Sequence, residues 1–486
     1  MPEQTHSIVK HGLPVSIGPM SDFTRDPIAC MRALQSEHGN LVALREGVSD
    51  KQLVFAFGPE FNRQLLSRAD EFHSQFFAIR GPKKSAQRRL TSGLLSMNGG
   101  EHSEQRRLLM SAFQRRAIPL YLQMVRQFTA AMLDEWRIGS TIDIADMMTR
   151  LMLKITSSIL FGMQDEELAI ELGEMMEIWV RMNHELGMAA FVSDGDYLTQ
   201  YQELLEYAEA LETRVRELIA RRNETANSDG NDVLSLLLQA RQHGANLTDD
   251  QMIGQSSLLF AAAHMTTSHS LSWTQFLLAQ HPDIYSQLDA EVRQQSQTRL
   301  FVDTEMAPSA VKGGTDLLLD RVIRESMRIL PASAYSQRIC SVPVDVAGVT
   351  IPQGSVVVFS QFMTHRDESI YSDADRFQPD RWTTIKPGAY EYLPFGGGSR
   401  LCIGATLATA IMQTVLPMIL SRFHLAVEPN ADITGRVIST MLSPVNGIPM
   451  RVLSTQEYES QSIIRGNIRD LVSFDDAADR KESRAA

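Results

Sequence analysis

A mainly α-helical, single large domain with a minor β-sheet region is the fold class that the sequence predicts. Three observations carry this reading. Apolar residues recur at helical spacing along most of the 486 residues, β-rich runs are confined to two short stretches, and no Pro/Gly/Ser-rich linker, composition shift or internal repeat divides the chain. At about 150 residues per domain the length would suggest three domains. The unbroken patterning argues for one, over residues 1–455.

In chain order, helical periodicity covers 103–135, 145–162, 164–184, 197–223, 231–242, 249–280, 283–296, 316–329 and 404–422. The 249–280 helix is opened by the capping run Thr248-Asp-Asp and stopped before Pro282. Strand patterns lie near 41–56 and 340–360, where Val344 to Phe359 alternates around a Gly/Pro turn as a hairpin edge would. From about Gln456 the chain turns polar, so residues 456–486 are expected to be a surface-draped or partly disordered tail.

A formal charge of -12 and a pI near 5.5 argue against general nucleic-acid binding, which needs a basic surface. Cys30, Cys340 and Cys402 are odd in number and far apart, which indicates neither a disulfide framework nor a zinc site and fits a reducing compartment. The N-terminus has no signal-peptide pattern, and no run approaches the ~18 apolar residues of a membrane helix. A soluble, cytoplasmic protein without a membrane span is expected, and a monomer.

The segment Phe395-Gly-Gly-Gly-Ser-Arg-Leu-Cys-Ile-Gly404, just ahead of a long apolar helix, has the form of a thiolate ligand loop. A metal-bound cysteine must be deprotonated, and backbone N–H donors and the positive end of a following helix stabilise the anion. Gly396, Gly398 and Gly404 would supply bare backbone for such donors and for a flat macrocycle. Two other readings exist. A lone cysteine is more often a buried structural thiol, and three glycines can form a phosphate nest. The phosphate reading falls well behind, because a cysteine and an isoleucine occupy the ground where Gly-Lys-Ser/Thr should stand.

At these residues the chain resembles the cytochrome P-450 family. That family's ligand motif, Phe-x-x-Gly-x-Arg/His-x-Cys-x-Gly, is matched at every fixed position by Phe395, Gly398, Arg400, Cys402 and Gly404. The resemblance runs from about Leu13 to Val452 and implies heme b with Cys402 as the iron ligand, in a triangular-prism α-rich fold. It implies a structural interlock of Glu325 and Arg328 with Arg381, the last in Phe377-Gln-Pro-Asp-Arg-Trp382. It also implies that His102, Arg106, Arg338 and Arg400 clamp the heme propionates. In Phe260-Ala-Ala-Ala-His-Met-Thr-Thr-Ser268 it places Thr266 at the oxygen-activation position, with small Ala262 and Ala263 beside it.

Met265 departs from the pattern, because the family usually carries a carboxylic acid there and a thioether cannot relay a proton. Proton delivery would then fall to water, to neighbouring His264 or to a substrate group, or else Met265 merely packs. By family position the substrate pocket should be lined by Phe76–Met97, the 180–200 segment, Phe260–Thr266, Ala332–Tyr335 and Met441–Leu442. Arg80, Lys83, Lys84 and Arg88 could there meet an anionic group.

The implied activity is a heme-thiolate monooxygenase that activates dioxygen and oxidises a mostly apolar small organic substrate, in secondary metabolism. No flavin or ferredoxin domain is attached, so electrons from NAD(P)H would arrive through a separate ferredoxin or flavodoxin-type redox partner. Arg107, Arg115 and Arg116 form the expected docking face. The alternative is a peroxide-using or non-oxygenating heme-thiolate enzyme, to which Met265 lends weight.

Overall fold

A computed structural model describes residues 12–47, 52–74, 79–114, 116–162, 166–189, 197–224, 230, 232–245, 247–297 and 317–474. Its helices follow the apolar periodicity closely. The helix Asp249–Gln280 runs through the middle of the molecule, and residues 252–260 and 267–280 are buried on every side. A helix buried on every side needs neighbours on every side. Here they include Ile144–Phe161, Glu166–Ala189, Leu318–Ile329 and Ala405–Arg422, the last of which also packs on Ile118–Glu135. Trp273, Phe276, Leu277 and Leu278 are fully enclosed, each such side chain contributing roughly 1.5–3 kcal/mol of transfer free energy. Thr248 caps the helix as the sequence predicts. Its hydroxyl accepts from Gln251 N (3.2 Å), and the Gln251 carboxamide accepts from Thr248 N (3.0 Å).

The expected continuous helix over 103–135 is in fact two helices, Gly99–Leu109 and Ile118–Glu135, separated by a 3-10 turn over Met110–Phe113. Pro119 explains the restart, since it lacks an N–H and fits only the first turn of a helix.

Six strands form the main sheet, in the order Val15–Ile17, Leu41–Arg45, Gln52–Ala56, Val356–Phe359, Ser336–Cys340 and Phe72–His73. The 344–359 stretch does not make one hairpin. Val344–Val346 pairs with Val349–Ile351 around Ala347 and Gly348, both at positive φ (51° and 80°), whereas Val356–Phe359 joins the main sheet. A second hairpin pairs Gly435–Ile438 with Met441–Pro444.

The polar tail expected from Gln456 is part of the fold as far as Phe474. Ile464, Ile468, Leu471 and Val472 are buried in the main core, and Ile468–Leu471 is helical. Apolar residues at 464, 468, 471 and 472 carry this packing inside an otherwise polar composition. Residues 475–486 lie outside those described. No helix among the described residues is long and apolar enough to cross a membrane, and Cys30, Cys340 and Cys402 are all free thiols.

Candidate active site

Between the central helix and the loop before Ala405–Arg422 lies a cavity of about 400 Å³. One wall is the central helix, contributing Leu258, Leu259, Ala262, Ala263, Thr266, Thr267 and Ser270. Ala262 is the sole exposed residue of the helix between Met252 and Gln280. What exposes it is the cavity, because the surrounding turns are buried. The facing wall is the loop Pro394–Gly404, including Phe395 and Cys402, with Leu407, Ala408, Ile411 and Met412 from the helix that follows.

Cys402 is likewise exposed, and it opens into this cavity. Its backbone N–H donates to Phe395 O (2.9 Å), closing the loop. Burial raises the thiol pKa, while a hydrogen bond from the Gly404 backbone and the charge of Arg106 oppose that rise. The helix starts at Ala405, so its positive end sits behind the sulfur. Gly398 has a reason the sequence did not display: at φ 63°, a Cβ there would stand 2.0 Å from Leu66 O of the neighbouring helix Pro59–Ser67.

Four cationic or titratable side chains line one end of the cavity: His102, Arg106, Arg338 and Arg400. Arg400 donates to Asn98 Oδ1 (2.7 Å) and to Met97 O, Arg106 donates to Leu401 O (2.7 Å), and Arg338 stacks over Phe359. Among the described residues no carboxylate pairs with any of the four. Burial and then the Arg400 charge lower Arg338 to about 10, and burial and then Arg106 lower Arg400 to about 10. Burial, Arg400 and Arg106 push His102 down to about 4. Three half-buried arginines without a paired anion, beside a buried histidine, form a site for carboxylates. With a thiol on one wall, apolar side chains on both and cations at one end, the cavity fits a heme with its propionates at the cationic end.

His264 and Met265 do not line this cavity. His264 is two residues, about 200°, around the helix from Ala262. Its ring stacks on Phe260 (5.3 Å between centroids), with Nε2 3.7 Å from Glu177 Oε2 on Glu166–Ala189. The expectation of a proton source at His264 is corrected by this position. Met265 is half-buried and outside the lining. Thr266 does line it, its hydroxyl donating to Ala262 O (2.8 Å).

The Glu325 cluster is fully buried. Its carboxylate accepts from Arg328 Nε (2.9 Å) and Nη2 (2.8 Å), Arg381 Nε (2.9 Å), Gln378 N (2.9 Å) and Trp382 Nε1 (3.0 Å). Trp382 is thus a functional member of the cluster that the sequence showed only as a departure from a motif. Arg328 also donates to His365 O (2.7 Å), and His365 Nε2 accepts from Leu393 N (2.8 Å), directly before the Pro394–Cys402 loop. The cluster therefore anchors the thiol loop through His365.

Burial, followed by the Arg328 charge, lowers His365 to about 3. Burial, followed by His264 and His184, lowers His269 to about 3. Each folded-state value lies below the ordinary 6.5. The unfolded chain therefore binds more protons between these values, and stability present above about 6.5 is lost as pH falls toward 3. Urea denaturation should give a lower midpoint at pH 5 than at pH 7, and His365→Gln should shallow that dependence. A midpoint rising on acidification would contradict these assignments.

A family profile described as Cytochrome P450 matches residues 15–447. The chain belongs to the cytochrome P450 family. It is an oxidoreductase of the monooxygenase kind, and the family's cofactor is thiolate-ligated heme iron. This P450 is 29% identical over 450 residues to the pentalenene oxygenase of Streptomyces avermitilis, covering 88% of this chain and 93% of that one. It is 28% identical over 428 residues to the cyclooctat-9-en-7-ol 5-monooxygenase of Streptomyces melanosporofaciens, covering 84% and 87%. Among solved structures, the retinoic acid-bound cyanobacterial CYP120A1 superposes with a TM-score of 0.76 at 22% identity, covering 91% of this chain and 99% of that one. That likeness concerns the fold.

The sequence placed the pocket lining only in part. Leu94, Leu95, Ala332 and Ser333 line the cavity of this P450, whereas Tyr335, Met441 and Leu442 do not. Tyr335 is buried with its hydroxyl donating to Ser439 O (2.5 Å), and Met441 and Leu442 pack behind Ala332–Ser333. Arg80, Lys83, Lys84 and Arg88 are outside the lining, and residues 75–78 and 190–196 lie outside those described. Met152, Ile155, Thr156 and Ile159 of Ile144–Phe161 line it and were missed, because an apolar residue facing a cavity has the same sequence signature as one facing the core. Arg107 and Arg116 are exposed, but Arg107 is on the helix Gly99–Leu109 and Arg116 lies in the turn before Ile118–Glu135, and Arg115 is outside the described residues.

Proposed function

We propose that this P450 oxygenates a terpenoid-class substrate, using electrons from NAD(P)H delivered by a separate ferredoxin- or flavodoxin-type protein. The observation that carries this reading is the cavity itself. Its walls are predominantly apolar, with Cys402 on one side and Thr266 on the other. Such a space accepts a hydrocarbon skeleton by burial and offers few groups to bind a highly polar one. Two relatives, an oxygenase of pentalenene and a monooxygenase of cyclooctat-9-en-7-ol, point to the same substrate class.

The residues divide the work. Bound heme, with a thiolate that donates electron density, supplies the reductive activation of dioxygen. Cys402 would hold the iron, His102, Arg106, Arg338 and Arg400 would hold the propionates, and Phe395 would cover the thiolate face. Ala262 and Ala263 leave room at the reacting centre, and Thr266 orders a proton there. Glu325, Arg328 and Arg381 hold the thiol loop through His365. Arg107 and Arg116 are the exposed cations offered to an acidic redox partner, to which the protein would bind as a monomer.

The test is a panel of sesquiterpene and diterpene hydrocarbons and alcohols, scored by the shift of the heme absorption band and by products formed with a ferredoxin and its reductase. Shifts and oxygenated products with terpenoids support the reading. Shifts only with polar or anionic compounds would overturn it.

Met265 bears on the peroxide-using alternative. Thr266→Ala should lower product formed per reductant consumed by roughly a hundredfold, the lower end of what one positioned proton-transfer group contributes. Met265→Glu should leave that ratio within about twofold, since position 265 is outside the cavity lining. A large gain in coupling from Met265→Glu, or turnover better supported by peroxide than by reductant, would favour the alternative.

A further inference from the structure

The segment after Pro449–Leu453, the last strand among the described residues, lies beyond the end of the family match at residue 447 and has no part in the activity derived above. It packs on the hairpin Gly435–Ile438/Met441–Pro444 by a specific contact. Thr434 O accepts from Val445 N, so along the ladder the polar groups of Gly435 point away from their partner strand. The Asn467 side chain meets both of them: Gly435 N donates to Oδ1 (2.8 Å), and Nδ2 donates to Gly435 O (2.9 Å). Leu471 closes over the same residue, a Cβ on Gly435 lying 2.9 Å from Leu471 Cδ1. Around it, Ile433 N donates to Arg465 O (2.9 Å) and Arg465 N to Ala431 O (2.8 Å).

The hairpin in turn carries the cavity wall. Leu442 N donates to Ala332 O (3.0 Å), Ala334 N donates to Thr440 O (2.8 Å), and Ser333 bridges to Met441. Ala332 and Ser333 line the cavity. An unbroken run of hydrogen bonds and strand contacts thus leads from Asn467 through the hairpin to the Ala332–Ser333 part of the cavity wall.

We propose that Asn467 is a positioning residue for substrate recognition: by bonding both backbone groups of Gly435 it fixes the hairpin, and with it the Ala332–Ser333 wall against which a bulky substrate rests. This inference rests on the reading of the cavity as a heme and substrate site. A residue acting on the wall alone should matter for ligands large enough to touch it and not for small ones. A residue acting only on stability should not make that distinction.

The experiment is a titration of the full-length holoprotein with imidazole and with clotrimazole, followed by the heme absorption band, in wild type and Asn467→Ala. The variant should weaken clotrimazole binding by about tenfold and change imidazole binding by less than about twofold, a coupling of the size that packed networks transmit. Gly466→Ala tests the same segment independently. Gly466 is at φ 91° and its Cβ would meet Ile433 O at 2.3 Å, so the substitution should displace Asn467 and reproduce the selective loss. Asn467→Asp, which sets an acceptor-only carboxylate oxygen against Gly435 O, should give a selective loss at least as large. Equal weakening of both ligands, or no change in either, overturns the proposal. Failure of the wild-type holoprotein to bind imidazole at its heme would instead overturn the reading of the site on which the proposal rests.

Discussion

Glu325→Ala is expected to destabilise the protein by about 3–5 kcal/mol, because it leaves two buried arginines without their anion. Arg328 and Arg381 are almost wholly buried, and each keeps backbone carbonyl partners that cannot neutralise its charge. The loss should be read as a fall in the denaturation midpoint. It should be accompanied by faster loss of heme, since the cluster reaches the thiol loop through His365 and Leu393. Glu325→Gln should recover little of it, as a neutral amide cannot match two guanidinium groups. A change below about 1 kcal/mol, the worth of an exposed pair, would show that Glu325 is not the keystone of this region.

Cys402→Ala should reduce turnover by more than about a hundredfold, beyond the roughly 10- to 100-fold typical of losing a residue that only supports a metal ligand. It should do so without unfolding the chain, because Cys402 faces the cavity and its backbone bond to Phe395 survives the substitution. Activity assays and a melting curve on the same sample separate the two effects. Turnover retained in Cys402→Ala would remove this residue from the chemistry.

The helices were legible in the sequence because burial and helical periodicity are the same fact seen twice. The boundaries of Asp249–Gln280 follow from a capping box and a proline, both local chemistry. The segment that brings Cys402 to the cavity wall was legible because its motif fixes several positions at once, and Glu325, Arg328 and Arg381 because the resemblance supplied their spacing. What escaped depended on contacts between distant segments. The split at Pro119 was visible in one residue yet outweighed by the apolar pattern on both sides. Rotation about a helix axis decides whether His264 faces the cavity or Glu177, and adjacency to Thr266 in sequence does not. The packing of Ile464, Ile468 and Leu471 was hidden by polar neighbours, since a segment docked on one side needs only a few apolar residues.

The measurement that tests the account most directly is the spectrum of the reduced wild-type protein with carbon monoxide. With Cys402 as a thiolate ligand, the absorption band should stand at the position diagnostic of sulfur ligation and should vanish in Cys402→Ala. A band at the position typical of histidine ligation in the wild type, or a sulfur-type band that persists in Cys402→Ala, would contradict it.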